Sequence, residues 1–347
     1  MNEFFKYQKI YESVDNYTLN KKQLKMLNLK KTEWIVQEKV HGSNFSIYFD
    51  GNKIEFAKRN SILQENEWFY NYETIKSKLI LNTNQLYKLL NKTKIIIYGE
   101  LFGGFYPPDP KNWINNRIDE KGNCKLCFDD KAIQEGIYYS NNIEYMVFDV
   151  AYINDNNDLI FVDYYDLCNS IKNTNFFFPK ELFIGSFQEI QNFNLNFNST
   201  IPKQLGYEDL PKNSNLSEGI IIKPIKTINI NTKSNQIIRC IIKRKNDKFK
   251  EISDNFNMEE AVKSYKYTFS KMLNTNRLAA VLSKYGKLTQ ENCQKITELL
   301  IQDIWEDYYL NYNYPIHSYD DANNYLQDIC KNFIEQHLPI ITKCFLS

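Results

Sequence analysis

Apolar and polar residues alternate with period two through Phe45–Phe49 and again through Ile54–Lys58, on either side of Asp50-Gly51-Asn52. Side chains of a strand point to its two faces in turn, so each run predicts a half-buried strand, and the Asp-Gly pair predicts the hairpin joining them. Trp34–Val40 predicts a strand just upstream. Two largely apolar stretches, Lys94–Gly104 and Tyr145–Val150, predict buried core strands. Within the second, Phe148 and Asp149 are neighbours and are expected on opposite faces. Leu159–Val162, Ser217–Pro224 and Ile237–Asn246 complete the strand set, and in the last Ile237, Arg239, Ile241, Lys243 and Lys245 fall on one face. Residues 60–92 read as largely helical, with Trp68, Phe69, Tyr72 and Ile75 on the packed face. Residues 105–135 carry prolines and read as a surface excursion; residues 163–212 are mixed, with Asn-rich loops. At the N-terminus a short extended segment precedes a lysine-rich helix, Lys21 to Leu29.

The periodicity changes near Asn255. Tyr265–Met272, Arg277–Tyr285, Gln290–Tyr309 and Asp321–His337 carry helical spacing, with Gly286 closing one helix and Thr289 capping the next. Cys293, Ile296, Leu300 and Ile304 are the core stripe of such a domain. The predicted architecture is α+β: antiparallel sheets over residues 1–253, followed by a smaller all-α domain over 254–347. Lys263, Lys266, Lys271, Arg277, Lys284 and Lys287 gather near the start of the helical part, where they read either as contacts to a phosphate backbone or as a solvated face. The run Lys21, Lys22, Lys25, Lys30 and Lys31 reads better as a solvated face.

The 347 residues are 43% hydrophobic, enough for a substantial core. With 43 Lys+Arg against 42 Asp+Glu, any binding of nucleic acid has to come from a local basic face. Seven scattered cysteines point to reduced thiols. Cys124-Lys125-Leu126-Cys127 has no second pair at zinc spacing and reads as two loop thiols. His317 and His337 have no partners in sequence and read as structural. Residues 1–10 lack the apolar centre of a signal peptide, and no stretch is apolar for the ~18 residues of a membrane span. The expected location is the cytoplasm.

Candidate chemistry begins at Glu38-Lys39-Val40-His41-Gly42-Ser43-Asn44. A solvated lysine titrates near ~10.4, so on the order of one in 10³ carries a free amine at neutrality. Burial or cationic neighbours must lower that value before a lysine attacks an electrophile. Lys39 by itself reads better as a solvated lysine at a strand end followed by a turn glycine. Gly42, without a side chain, would let a ligand approach the backbone. Glu100 ends an apolar run, where an unpaired carboxylate is costly. Lys243 and Lys245 on one strand face repel unless an anion lies between them, and such a pair suits a phosphate. Arg59 is returned by the hairpin toward Lys39, and its planar fork suits ribose or phosphate oxygens.

Five stretches then resemble, in order, the covalent nucleotidyltransferases: ATP-dependent DNA ligases, RNA ligases and mRNA capping enzymes. They are Lys39-Val-His-Gly-Ser-Asn44, Tyr98-Gly-Glu100-Leu-Phe-Gly, Val147-Phe148-Asp149, Glu218-Gly-Ile-Ile-Ile-Lys223 and Ile242-Lys243-Arg-Lys245. Within that superfamily the chain most resembles the RNA ligase 2 / RNA-editing ligase family. The pointers are Glu38-Lys-Val-His-Gly-Ser-Asn-Phe45, Ala57-Lys58-Arg59, Gln134-Glu-Gly-Ile-Tyr-Tyr-Ser140 and Lys243-Arg-Lys-Asn-Asp-Lys-Phe-Lys250. The resemblance implies an ATP-grasp-like ligase fold and a reaction with ATP and Mg²⁺ (or Mn²⁺). In it, Lys39 takes AMP, passes it to an RNA 5′-phosphate, and a 3′-hydroxyl then seals the break, in duplex or bridged RNA.

The implied roles attach residue by residue. Phe148 stacks on adenine with Glu38 beside the base, and Arg59 and Glu100 hold the ribose. Lys243 and Lys245 grip the α-phosphate, Glu218 and Glu100 position the metal, and His41 and Asn44 act near the transferring phosphate. Lys223 matches the family too, although simple alternation sets it opposite Glu218. The implied protein is a monomer without membrane partners. Two features depart from the family: the long segment between Gly104 and Phe148, and the lack of an OB-fold-like run of strands after Lys250. An unusually built DNA ligase and a non-catalytic nucleic-acid-binding relative are the competing readings.

Overall fold

Ile95–Phe105, which opens on an apolar run, is one of the two middle strands of the larger sheet. The computed structural model describes residues 3–12, 32–111, 132–134, 136–231, 237–250, 257–312, 314, 316 and 318–344. The chain divides into two units, Met1–Asn246 and Asp247–Ser347.

In the first unit, β1 (Trp34–Glu38), β2 (Ser43–Phe49), β3 (Ile54–Lys58), β4 (Ser61–Ile62), β5 (Ile95–Phe105), β6 (Ser140–Ile153) and β7 (Leu159–Phe161) precede β8 (Glu181–Gly185) and β9 (Gly219–Pro224). After these come β10 (Asn229–Asn231), β11 (Ile237–Arg239) and β12 (Ile242–Lys245). They form a six-stranded sheet in the order β4-β3-β2-β5-β6-β7, a four-stranded sheet in the order β12-β9-β1-β8, and the pair β10-β11. Every pairing within these sheets is antiparallel.

The alternation sorts the core into layers. Phe45, Ile47, Ile95, Ile97, Val147 and Val150 face outward onto helix α1 (Lys76–Leu90) and helix α2 (Tyr164–Ile171). Tyr48, Ala57, Ile96, Tyr98, Ala151 and Ile153 form the opposite face and meet Ile221 of the smaller sheet and Ile241 just before it. The outer face of that smaller sheet, with Trp34, Val36, Ile220, Ile222 and Ile242, is closed by Ile190. The cleft between the two sheets is where the candidate chemistry lies.

Several expectations are corrected. Residues 60–92 are helical only from Tyr72, first as a single 3₁₀ turn (Tyr72–Ile75) and then as α1. Asn66, Tyr70 and Asn71 have positive φ, which no helix accommodates, and Trp68 is 51% exposed instead of packed. Ile237–Asn246 is two strands in different sheets: β11 pairs with β10, and after Cys240 and Ile241 the chain rejoins β9 as β12. Phe148 and Asp149 do not oppose each other. The ladder between β5 and β6 passes from Tyr98↔Asp149 to Gly99↔Val147, leaving Phe148 as the extra residue of a β-bulge. Both its ring and the Asp149 carboxylate then reach Tyr7.

The second unit holds α3 (Met258–Lys263), α4 (Tyr265–Met272), α5 (Thr275–Tyr285), α6 (Cys293–Asn311) and α7 (Tyr319–Cys344). Phe269, Leu278, Val281, Ile296, Leu300, Ile304 and Leu326 are its core. Ser264 and Asn274 cap α4 and α5 through their side chains, and Gly286 at φ 107° ends α5. The cap of α6 is Asn292, whose N–H donates to Thr289 Oγ1. Arg277 leaves the set of phosphate candidates. It is fully buried and paired with Asp303 at 2.7 Å and Asp307 at 2.9 Å, while Lys284 also binds Asp303. His337 bonds within its own helix, its Nδ1 lying 2.7 Å from Phe333 O. The lysine-rich run 21–31, Cys124, Cys127 and His317 lie outside the described residues.

Candidate active site

Glu218 is the hub. It sits one residue before β9 with 2% of its surface exposed. Its Oε2 receives Lys39 Nζ at 2.7 Å and lies 3.3 Å from His41 Nδ1, and its Oε1 is 3.5 Å from Lys245 Nζ. Burial alone would raise this carboxyl; Lys39, His41 and Lys245 outweigh burial and hold it well below the usual carboxylate range. The geometry depends on Gly219, at φ 150°, where a Cβ would lie 2.0 Å from Arg244 O. That turn breaks the alternation, so Glu218 and Lys223 both reach the cleft. Lys39 is tied to the same place by its backbone, its N–H donating to Gly219 O at 2.9 Å.

Lys243 and Lys245 stand opposite Ile221 and Gly219 in the β12–β9 ladder and share the face of Ile221, which turns toward the larger sheet. Asn44 and Glu100 are cross-strand partners on β2 and β5. Burial pushes the Glu100 carboxyl up to about 8, opposed by Lys39 and Arg59 and reinforced by the negative charge of Glu218. Lys39, Arg59, Glu100 and Glu218 therefore share one electrostatic neighbourhood. Gly42 serves the fold: a Cβ there would lie 2.3 Å from Leu101 O, so the close approach expected of a ligand is made by β5.

Glu38 bonds Thr200 and takes no part in the Glu218 cluster. Its Oε2 accepts from Thr200 N at 2.7 Å and Thr200 Oγ1 at 2.8 Å, while its Oε1 is buried with no hydrogen-bond partner. Burial raises this carboxyl to about 7, moderated by bonds from Ser199 and Thr200. The pattern of the chain did not single out Thr200, which lies 162 residues from Glu38. Tyr139, whose hydroxyl accepts His41 N–H at 3.1 Å, was also missed, although it sits in the Gln134–Ser140 stretch.

A second cluster lies four residues back along β1, about 13 Å at ~3.3 Å per strand residue. There Ile35 pairs with Lys223, whose Nζ donates to Phe148 O at 2.9 Å and Asp149 Oδ1 at 3.0 Å. Arg239 grips Asp149 with both terminal nitrogens, at 3.0 and 3.2 Å, and Tyr7 donates its hydroxyl to the same carboxylate. Burial would raise Asp149; Arg239 and Lys223 hold it far below the ordinary carboxylate range. Among the described residues no group of three or more His, Cys, Asp or Glu side chains is placed to hold a metal ion.

The larger unit thus sets two antiparallel sheets face to face, with the nominated residues gathered between them. The family model described as RNA ligase matches residues 32–245, and that of the T4 RNA ligase 2 C-terminal region matches residues 255–325. The chain belongs to the RNA ligase family. It is 29% identical over 225 residues to RNA-editing ligase 1, mitochondrial, of Trypanosoma brucei brucei, which covers 57% of this chain and 46% of that protein. RNA-editing ligase 2, mitochondrial, from a strain of the same organism is 28% identical over 229 residues, covering 61% and 54%. The chain spans about half the length of these curated relatives. A solved Naegleria gruberi RNA ligase aligns with a TM-score of 0.41 at 14% identity, over 71% of this chain and 57% of that one. Among the described residues no helix is long and apolar enough to cross a membrane.

Proposed function

We propose that the chain is an ATP-dependent RNA ligase that joins a 3′-hydroxyl to a 5′-phosphate through lysyl-AMP and RNA-adenylate intermediates. The observation that carries this reading is the convergence of Lys39, His41 and Lys245 on buried Glu218. Two ammonium groups and an imidazole around one carboxylate suit the arrival of phosphate oxygens. The orphaned Oε1 of Glu38 suits a second part of the same substrate, the exocyclic amine of adenine.

Lys39 gives up an ammonium proton to water, and its amine attacks the α-phosphorus of ATP. A P–N bond forms and pyrophosphate leaves. An oxygen of the RNA 5′-phosphate next attacks the same phosphorus and displaces Lys39. The 3′-hydroxyl then attacks the activated 5′-phosphate and expels AMP. Phe148 stacks on the base, and Arg59 and Glu100 hold the ribose. Lys243 and Lys245 neutralise the α-phosphate, with His41 and Asn44 beside it. Glu218 and Glu100, two carboxylates in one electrostatic neighbourhood, would hold a divalent ion such as Mg²⁺ or Mn²⁺, which would supply further charge neutralisation. Residues 254–347 hold the broken RNA, in duplex or bridged form, and the protein acts as a monomer in the cytoplasm.

The test compares sealing of a nick in an all-RNA duplex with sealing in an all-DNA duplex. Sealing confined to nicks with RNA at the break is expected; efficient sealing of the all-DNA nick contradicts the substrate assignment. Lys243→Ala or Lys245→Ala is expected to lose on the order of 3–4 kcal/mol of transition-state stabilisation, the range for one charge-stabilising donor. Near-normal rates in both variants contradict the phosphate clamp.

A further inference from the structure

The first described residues run through the cleft between the sheets, and they touch the nominated nucleotide residues one after another. Tyr48 and Tyr98 both donate their hydroxyls to Phe5 O, at 2.8 and 2.9 Å. Tyr7 is 5% exposed, and the edge of its ring meets Phe148 with centroids 5.0 Å apart. Gln8 O accepts from Arg59 at 3.5 Å, and the Gln8 side chain brackets the Arg239 backbone, donating to its O at 2.8 Å and accepting from its N at 2.9 Å. Tyr11 O accepts from Lys243 N at 2.9 Å. An adenine-stacking candidate on β6, a ribose-holding candidate in the turn after β3 and a phosphate-gripping candidate on β12 are thus each fastened to one short segment.

We propose that residues 5–11 form a positioning strap for the nucleotide, with Tyr7 as its central positioning residue. This rests on the nucleotide-binding role assigned above to Phe148 and Arg59. The bulge at Phe148 explains the need for a strap. A bulged residue lacks a ladder partner, so its orientation is set by what packs against it. Here Lys223 holds the Phe148 carbonyl from one side, and Tyr7 holds both the ring and, through its hydroxyl, the adjoining carboxylate of Asp149. Arg239 closes the arrangement, bonding Asp149 and stacking its guanidinium 3.7 Å from the centroid of Phe161. Tyr7 reaches no phosphate-side residue directly. Its influence should fall on capture of the base, leaving the transfer step unchanged once ATP is bound.

The experiment measures self-adenylylation of the full chain against ATP concentration for wild type, Tyr7→Phe, Tyr7→Leu and Gln8→Ala, with thermal melting of each. Tyr7→Phe keeps the ring and removes one hydrogen bond to a charged group, a change expected to raise the KM for ATP by about tenfold. Tyr7→Leu should raise it further, and Gln8→Ala, which removes the side chain that brackets the Arg239 backbone, should raise it through Arg239. The rate at saturating ATP should stay near wild type in all three. Unchanged KM in Tyr7→Phe and Tyr7→Leu overturns the proposal. So does a loss of activity that only follows the unfolded fraction and is recovered by assaying well below the melting transition. A wild-type chain that takes no label overturns the ligase reading itself, a result distinct from either.

Discussion

Glu218 is the shared counter-charge of Lys39, His41 and Lys245. Replacing it by Ala leaves Lys39 and Lys245 facing each other without their shared counter-charge. Loss of one partner from such a cluster is expected to cost about 2–3 kcal/mol here, since Lys39 keeps 22% of its side chain exposed. A urea denaturation midpoint checks this; an unchanged midpoint contradicts the hub. Asp149 gives a pH signature. Its folded pKa lies below its unfolded value, so the stability it contributes is full above the ordinary carboxylate range and is lost as pH falls through the folded value. Stability should therefore decline in acid, and Asp149→Asn should decline less steeply over the same range. Much of this was legible in the sequence. Lys39, Glu218 and Lys245 stand in short ordered motifs, and their chemistry follows from residue type. The bond from Thr200 to Glu38 was not legible, because nothing local to either residue announces a contact 162 positions away. The shared side of Phe148 and Asp149 was hidden for another reason: a bulge adds one residue without altering composition.

At the level of elements, β9 and β12 set the proposed phosphate face, and Gly219 sets how they meet. Gly219→Ala introduces a Cβ 2.0 Å from Arg244 O at a φ of 150°, which few side chains tolerate. The expected loss is about 2 kcal/mol or more, with sealing activity falling together with stability. Wild-type melting behaviour in this variant contradicts the proposed join. The β2–β3 hairpin was legible because Asp50-Gly51 and two alternating runs say the same thing, and Asp50 Oδ1 indeed caps the N–H groups of Asn52 and Lys53. The division of Ile237–Lys245 into two strands was not. Alternation reports which face a residue takes, not which strand it pairs with, and the change of partner at Cys240–Ile241 preserves the alternation. The non-helical stretch before α1 escaped similarly, since its aromatic spacing imitates an amphipathic helix while Asn66, Tyr70 and Asn71 take left-handed backbone.

At the scale of the whole chain, the sequence divides into a sheet-built unit holding every nominated nucleotide residue and a helical unit with its own core. The helical unit's buried Arg277 is legible as a basic residue but not as a structural one, because its partners Asp303 and Asp307 lie on a different helix. If the two units divide the work, removing residues 255–347 should leave self-adenylylation largely intact and spoil sealing of nicked RNA. Equal loss of both activities in a folded truncation contradicts that division. The central claim, that Lys39 carries AMP, has one direct measurement. The protein is stripped of any bound AMP with pyrophosphate, then mixed with Mg²⁺ and ATP labelled at the α-phosphate, and the denatured chain is examined for label. A labelled wild type beside an unlabelled, folded Lys39→Ala is the predicted result; an unlabelled wild type, or a Lys39→Ala chain labelled as strongly as wild type, contradicts it.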